Sequence, residues 1–128
     1  MILIADNVIY CCNAGDARSV LSDKGKAVEL SKDHKPDLPQ ERARVLAAGH
    51  MVEDGRVDGI IAISRALGDW EYKSTSLEPE KMAVSGYPDI SKTALTKDID
   101  FIICACDGIW DCMSSQQCVD FINQARIK

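Results

Sequence analysis

No stretch of this 128-residue chain approaches the roughly 18 consecutive apolar residues needed to cross a bilayer. Met1-Ile2-Leu3-Ile4-Ala5 lacks a basic flank and is broken by Asp6-Asn7, which argues against a secretory leader. Basic charge is in deficit. With 15 Lys and Arg against 20 Asp and Glu the net charge is −5, so electrostatics gives no reason to expect nucleic acid or a membrane as a partner. None of the six cysteines makes a Cys-x-x-Cys pair, and neither His34 nor His50 stands at zinc-finger spacing. Internal repeats and low-complexity tracts are also missing. What remains is 46% hydrophobic and 27% charged, the balance of one globular domain or part of one. Cys11, Cys12, Cys104 and Cys106 lie in apolar, strand-like runs, where cysteine acts as a small buried hydrophobe. The cysteines read as reduced thiols of a cytoplasmic or nuclear protein.

The first thirty residues predict an antiparallel meander. Ile2–Ala5 and Val8–Asn13 are apolar runs split by the turn pair Asp6-Asn7, and Arg18–Ser22 and Ala27–Leu30 flank a hairpin signal at Asp23-Lys24-Gly25-Lys26. Residues 32–39 are polar, carry two prolines and read as a loop. Gln40–Ala48 predicts a short helix with Ala43, Leu46 and Ala47 on its apolar side, Pro39 at its start and Gly49 just past its end. A small hairpin is expected around Asp54-Gly55, and short strands at Ile60–Ile63, Ala83–Ser85 and Asp89–Leu95. Ile99–Cys106 is the strongest strand. Phe101, Ile103 and Ala105 fall on one face and Ile102, Cys104 and Cys106 on the other, so it is expected to be central and covered on both sides. Ser114–Arg126 predicts a helix opened by a Ser114/Gln117 capping box, with Cys118, Ile122 and Ala125 as its apolar face.

Asp107 is the first candidate site residue. A carboxylate at the end of a buried strand is costly unless something pairs with it, and hard divalent cations take oxygen ligands of this kind. Asp111 follows four residues later, and Asp16 ends the apolar run Val8–Ala14 in the same way after Gly15. The three aspartates are read as converging on one oxygen-lined cation pocket. On pattern alone the alternative stays open that each simply ends a strand and begins a turn.

Four segments, in order, resemble the motifs of the protein phosphatase 2C family. Asn13-Ala14-Gly15-Asp16-Ala17-Arg18 resembles its Gly-Asp-Ser-Arg motif, with Ala17 in place of the serine. Asp33-His34-Lys35-Pro36 matches its Asp-His-Lys-Pro motif, and Ser64-Arg65-Ala66-Leu67-Gly68-Asp69 its Ser-Arg-Ala-Leu-Gly-Asp motif. Cys104-Ala105-Cys106-Asp107-Gly108-Ile109-Trp110-Asp111 matches an apolar strand followed by Asp-Gly-x-Trp-Asp. His50 replaces a glycine of the usual Ala-Gly-Gly.

The resemblance implies an α+β fold, in which two mainly antiparallel β-sheets are sandwiched between α-helices, with residues 1–128 as a partial catalytic domain. It implies a metal-dependent serine/threonine phosphatase acting on a phosphoprotein through a water activated by two Mg²⁺ or Mn²⁺ ions, with a third ion in some members. Asp107 resembles a ligand of the binuclear site, and Asp16 and Asp111 resemble carboxylates that hold the third ion. Arg65 and Asp69 are expected to be structural, through a buried ion pair or hydrogen bonds. His34 is expected to hydrogen-bond within its loop, the family's catalytic histidine lying near an earlier Asp-Gly motif. Residues 36–60 correspond to the variable flap, and Trp70 is read as core or as a neighbour of the cleft. The family's other metal-binding motifs lie before and after this stretch, so the chain alone is expected to be weakly active or inactive and to self-associate. A non-catalytic scaffold that binds or regulates a partner is the alternative.

Overall fold

The computed structural model describes residues 1–126 and divides them into two compact units. The first holds Met1–Asn13, Ala17–Lys32 and the chain from Asp89 onward, and the second holds Ala14–Asp16 and Asp33–Pro88. No helix among the described residues is long and apolar enough to cross a membrane.

The first unit is built on two antiparallel sheets. β1 (Ile2–Ala5) turns into β2 (Val8–Asn13) through Asp6 and Asn7, whose φ values of 50° and 57° are those of a two-residue turn that matches strand twist. β3 (Arg18–Asp23) turns into β4 (Lys26–Glu29) in the same way at Lys24-Gly25. The expected meander is therefore two hairpins placed in different sheets. One sheet has the order β1-β2-β7, with β7 at Asp89–Ala94, and the other the order β4-β3-β8, with β8 at Ile99–Ala105. Asp100 pins the second hairpin by accepting from Ser22 Oγ at 3.0 Å and the Gly25 N–H at 3.1 Å.

Period-two alternation decides what lies between the sheets. Ile9 and Cys11 of β2 point inward and pack with Leu21, Leu30, Ile99 and Ile102 in one apolar cluster. The opposite face of the second sheet buries Val20, with Phe101, Ile103 and Ala105, against Trp110, Cys118 and Val119. Those residues come from the one-turn helix α2 (Asp107–Trp110) and from α3 (Ser115–Arg126), numbered after α1 of the second unit. Helix, sheet and sheet are thus stacked as three layers of the expected four, in an α+β arrangement. On the outer face of the first sheet Leu3 and Ile90 are 56% and 63% exposed.

The capping box closes reciprocally, with Ser114 N–H on Gln117 Oε1 at 2.8 Å and Gln117 N–H on Ser114 Oγ at 3.2 Å. The buried face of α3 is Ser115, Cys118 and Val119 with Ile122 beside it, while Ala125 is exposed. Gln116 ties the helix to β4, donating to Gly25 O and accepting from the Ala27 N–H, both at 2.9 Å.

Two expectations for β8 need correction. It is an edge strand, because β3 takes the central place with a burial pattern of four consecutive buried residues, and Cys104 and Cys106 are exposed. The cysteine runs are buried only in part: Cys11 is inside and Cys12 half-buried. All six cysteines are unpaired.

The second unit contains α1 (Pro39–Ala47) and a small hairpin of β5 (Val52–Glu53) and β6 (Arg56–Val57) turning at Asp54-Gly55. Its core is Val45, Val57, Tyr72, Ala83 and Val84. Single-turn 3₁₀ segments occur at Trp70–Tyr72 and Pro79–Lys81. The strands expected at Ile60–Ile63 and Ala83–Ser85 are isolated bridges only, Val57 with Ile61 and Arg65 with Ser85. The inner face of α1 also differs from expectation. Ala43, Leu46 and Ala47 face solvent, and Glu41 and Val45 are buried. A helix that buries a carboxylate in preference to leucine does so because cations meet that carboxylate inside.

Candidate functional site

Asp107 stands where β8 stops and α2 begins. The turn is held from below by Trp110, whose ring is buried and whose Nε1–H donates to Ala105 O at 2.8 Å. The Arg18 guanidinium lies over the same ring at 5.3 Å and reaches Glu29 and Ser115. Ser115 Oγ donates to Glu29 at 2.7 Å and completes the support. The chain then bends back, with the Asp111 N–H on Asp107 O at 2.7 Å. Asp107 opens this short helix and Asp111 caps its end, both exposed to solvent, and no partner for either carboxylate occurs among the described residues.

Asp16 lies in the second unit, where Lys35 Nζ forms an ion pair with it. The loop around it is a backbone clasp. Gly15 donates its N–H to His34 Nδ1 at 3.2 Å, and the His34 N–H donates to Gly15 O at 3.0 Å. His34 is 3% exposed and fills the loop, as expected for a hydrogen-bonding residue. Gly15 has φ of 128°, and a Cβ there would sit 3.3 Å from Arg65 O, so both conformation and space call for glycine.

Beneath the clasp lies a polar core that joins the motifs. Ser64 donates its N–H to His34 O at 3.1 Å and its hydroxyl to Glu41 Oε2 at 2.6 Å. Arg65 reaches Glu41 Oε1 through Nη2 at 2.6 Å and Nε at 3.1 Å, and Arg44 Nη2 reaches Glu41 Oε2 at 2.7 Å. Arg44 also caps the carbonyls of Ser64 and Met82, at 2.6 Å and 3.0 Å. Burial by itself pushes the Glu41 carboxyl up, but the hydrogen bonds from Arg65, Arg44 and Ser64 outweigh it and hold the group down at about 2.

Arg65 is therefore structural, as expected, through a buried ion pair. Asp69 is exposed and acts through the backbone instead: with φ of 52° it heads the 3₁₀ turn, its carbonyl accepting the Tyr72 N–H at 3.0 Å. Trp70 is not in the core but 79% exposed. His50, in place of glycine, takes ordinary negative φ, the positive φ falling on Gly49. Its Nδ1 lies 2.7 Å from Asp58 Oδ2, and its ring meets that of Tyr72 at 5.6 Å. The hydrogen bond from His50 and then that from the Met51 N–H lower the Asp58 carboxyl.

Glu41 is the residue that reading the sequence missed. A glutamate near the start of a helix is ordinary on the surface, and nothing in its spacing to Arg44 and Arg65 marks it as buried.

Oxygen donors suit Mg²⁺ or Mn²⁺ in kind. In number they fall short within each unit, where no group of three or more His, Cys, Asp or Glu side chains is arranged to hold a metal ion among the described residues.

The profile of the family described as "Protein phosphatase 2C" matches residues 1–128. "Protein phosphatase 2C homolog 3" of Schizosaccharomyces pombe is 50% identical over 124 residues, covering 97% of this chain and 30% of the relative. "Probable protein phosphatase 2C 21" of Arabidopsis thaliana is 50% identical over 123 residues, 95% of this chain and 35% of the relative. The chain thus spans about a third of the length of the curated relatives it matches. Among solved structures, a serine-threonine phosphatase 2C from Toxoplasma gondii superposes with a TM-score of 0.83 at 25% identity, covering 98% of this chain and 45% of that one.

Proposed function

Because the chain belongs to the protein phosphatase 2C family, we propose that it is a partial catalytic domain of a serine/threonine protein phosphatase that uses Mg²⁺ or Mn²⁺ and acts on phosphoserine or phosphothreonine in a phosphoprotein. The observation that carries this reading is Asp107, an exposed carboxylate with no partner among the described residues, on a turn fixed by the buried Trp110. Carboxylates left open on a rigid support are what a hard cation requires.

In this reading Asp107 is a ligand in the binuclear site, and Asp111, four residues on, adds an oxygen toward a more weakly held ion. Asp16 is proposed as a further metal-binding carboxylate, and Lys35 is the cation it must release first. When bound, the metals supply a lowered pKa for water at the site and positive charge against the phosphoryl oxygens. The chain's own contribution is placement. Trp110 and Arg18 hold the Asp107 turn, and the His34–Gly15 clasp and the Glu41 core hold the Asp16 loop. The ligand count within each unit supports dependence on further donors, so the 128 residues alone are proposed to hydrolyse phosphate esters weakly or not at all. The unpaired cysteines suit the reducing cytoplasm or nucleus.

The test is an exchange. The chain replaces the 124-residue matching stretch of the S. pombe relative, and hydrolysis of a phosphothreonine peptide is followed with Mn²⁺ and with chelator. Metal-dependent turnover within about tenfold of the parent is expected. A soluble, folded hybrid with no turnover refutes the catalytic reading and favours the scaffold.

A further inference from the structure

The second unit presents two large apolar side chains to solvent. Leu67 and Trp70 are 86% and 79% exposed, on either side of Gly68 and Asp69. Tryptophan is seldom left so bare, since its large ring gains more from burial than most side chains do.

The turn that carries them is held at both ends. Gly68 and Asp69 have φ of 84° and 52°, and Trp70–Tyr72 forms a 3₁₀ turn whose last residue, Tyr72, lies in the core. Lys73 follows at once and closes the loop, its Nζ donating to Ala66 O at 3.0 Å and Val84 O at 2.7 Å. Burial lowers the Lys73 ammonium while Asp69 raises it. Two large apolar side chains are therefore displayed on a backbone already ordered, which spares a ligand much of the entropy cost of fixing them.

The exposed charges along this stretch of chain are mostly acidic. Asp69, Glu71, Glu78 and Glu80 are exposed, Lys73 is turned to carbonyls, and Lys81 is the only exposed cation in residues 66–81. An exposed indole flanked in the chain by two carboxylates, Asp69 and Glu71, suits a guanidinium or ammonium on its face.

We propose that Leu67 and Trp70 form a docking site for a basic peptide segment of a partner protein. An Arg or Lys side chain lies on the Trp70 ring, an adjacent apolar side chain packs on Leu67, and Asp69 and Glu71 meet the flanking cations. This docking needs neither phosphate nor metal, so it stands or fails separately from the phosphatase reading.

The experiment is calorimetric titration of the full chain, without added metal, with the unphosphorylated peptide Arg-Arg-Leu-Lys-Arg-Ile-Ala and with its counterpart carrying Glu at each basic position. Saturable binding of the basic peptide below about 1 mM is expected, with Trp70 emission moving to shorter wavelength and no binding of the acidic peptide. Trp70→Ala is expected to weaken binding by about tenfold or more, and Leu67→Ser by about threefold to tenfold. Asp69→Asn with Glu71→Gln is expected to weaken it about threefold and flatten its salt dependence. These positions are exposed, and circular dichroism verifies the fold of each variant. No binding at 1 mM, equal binding of the acidic peptide, or a Trp70→Ala affinity within twofold of the parent each overturns the proposal.

Discussion

Replacing Glu41 with glutamine removes one charge from a place the second unit is built around. The carboxylate is 4% exposed and receives Arg44 at 2.7 Å, Arg65 at 2.6 Å and Ser64 at 2.6 Å. Glutamine keeps the shape, but its amide turns a donor toward two guanidinium groups that are themselves only 13% exposed. Breaking a buried pair by removing one partner costs about 3–5 kcal/mol, because the other charge is left without compensation. The pH dependence gives an independent measure. Glu41 is held at about 2 in the fold against an ordinary value of 4.5, so its contribution is fully present above 4.5 and is lost as pH falls toward 2. That shift corresponds to about 3 kcal/mol, of which about 2 kcal/mol is gone by about pH 3. Urea unfolding of the whole chain and of Glu41→Gln, followed by circular dichroism at pH 7 and pH 3, reads both quantities. The variant is expected to be less stable by about 3–5 kcal/mol at pH 7, with the gap about 2 kcal/mol smaller at pH 3. A difference below about 1 kcal/mol at pH 7, or an equal difference at both pH values, refutes the buried-charge account.

Ser114→Ala and Gln117→Ala each remove one half of the reciprocal cap and are each expected to cost about 1 kcal/mol. The double variant should cost less than the sum, and strict additivity in thermal unfolding would show that the two bonds act independently. His50→Ala removes the first cause of the lowered Asp58 carboxyl, so carbon-detected NMR titration should show that carboxyl rising toward its ordinary 3.8. An unchanged Asp58 titration would mean that the Met51 N–H, not the imidazole, sets it.

Much of the first unit was legible because its signals are local. Asp6-Asn7 and Lys24-Gly25 set two hairpins, and the apolar run Val8–Asn13 was readable as a strand, although which of its residues face inward came only with the sheet pairing. The Ser114/Gln117 pair marked where the last helix begins. The role of β8 was misread because an apolar strand looks the same at the edge of a sheet as at its centre, and only pairing distinguishes them. The second unit was less legible. Its helix buries Glu41 through partners 23 and 24 residues away, and no periodicity encodes a charge met at that distance. Trp70 follows the same logic in reverse: hydrophobicity predicts burial, whereas the anchored turn from Leu67 to Lys73 presents it to solvent. Asp107 was legible as a motif and as a strand end, whereas the Trp110 bond to Ala105 O that holds its turn was not.

The proposed role of Asp107 is tested most directly by the Mn²⁺ dependence of phosphopeptide hydrolysis in the hybrid phosphatase, with Asp107→Asn compared against the unaltered hybrid. Exchange of an outer-shell partner typically costs about 10–100-fold in metal affinity or activity, so loss of a direct ligand should cost more than about 100-fold, with high Mn²⁺ recovering part of it. An Asp107→Asn hybrid that turns over within about threefold of its parent at the same Mn²⁺ concentration would contradict the assignment.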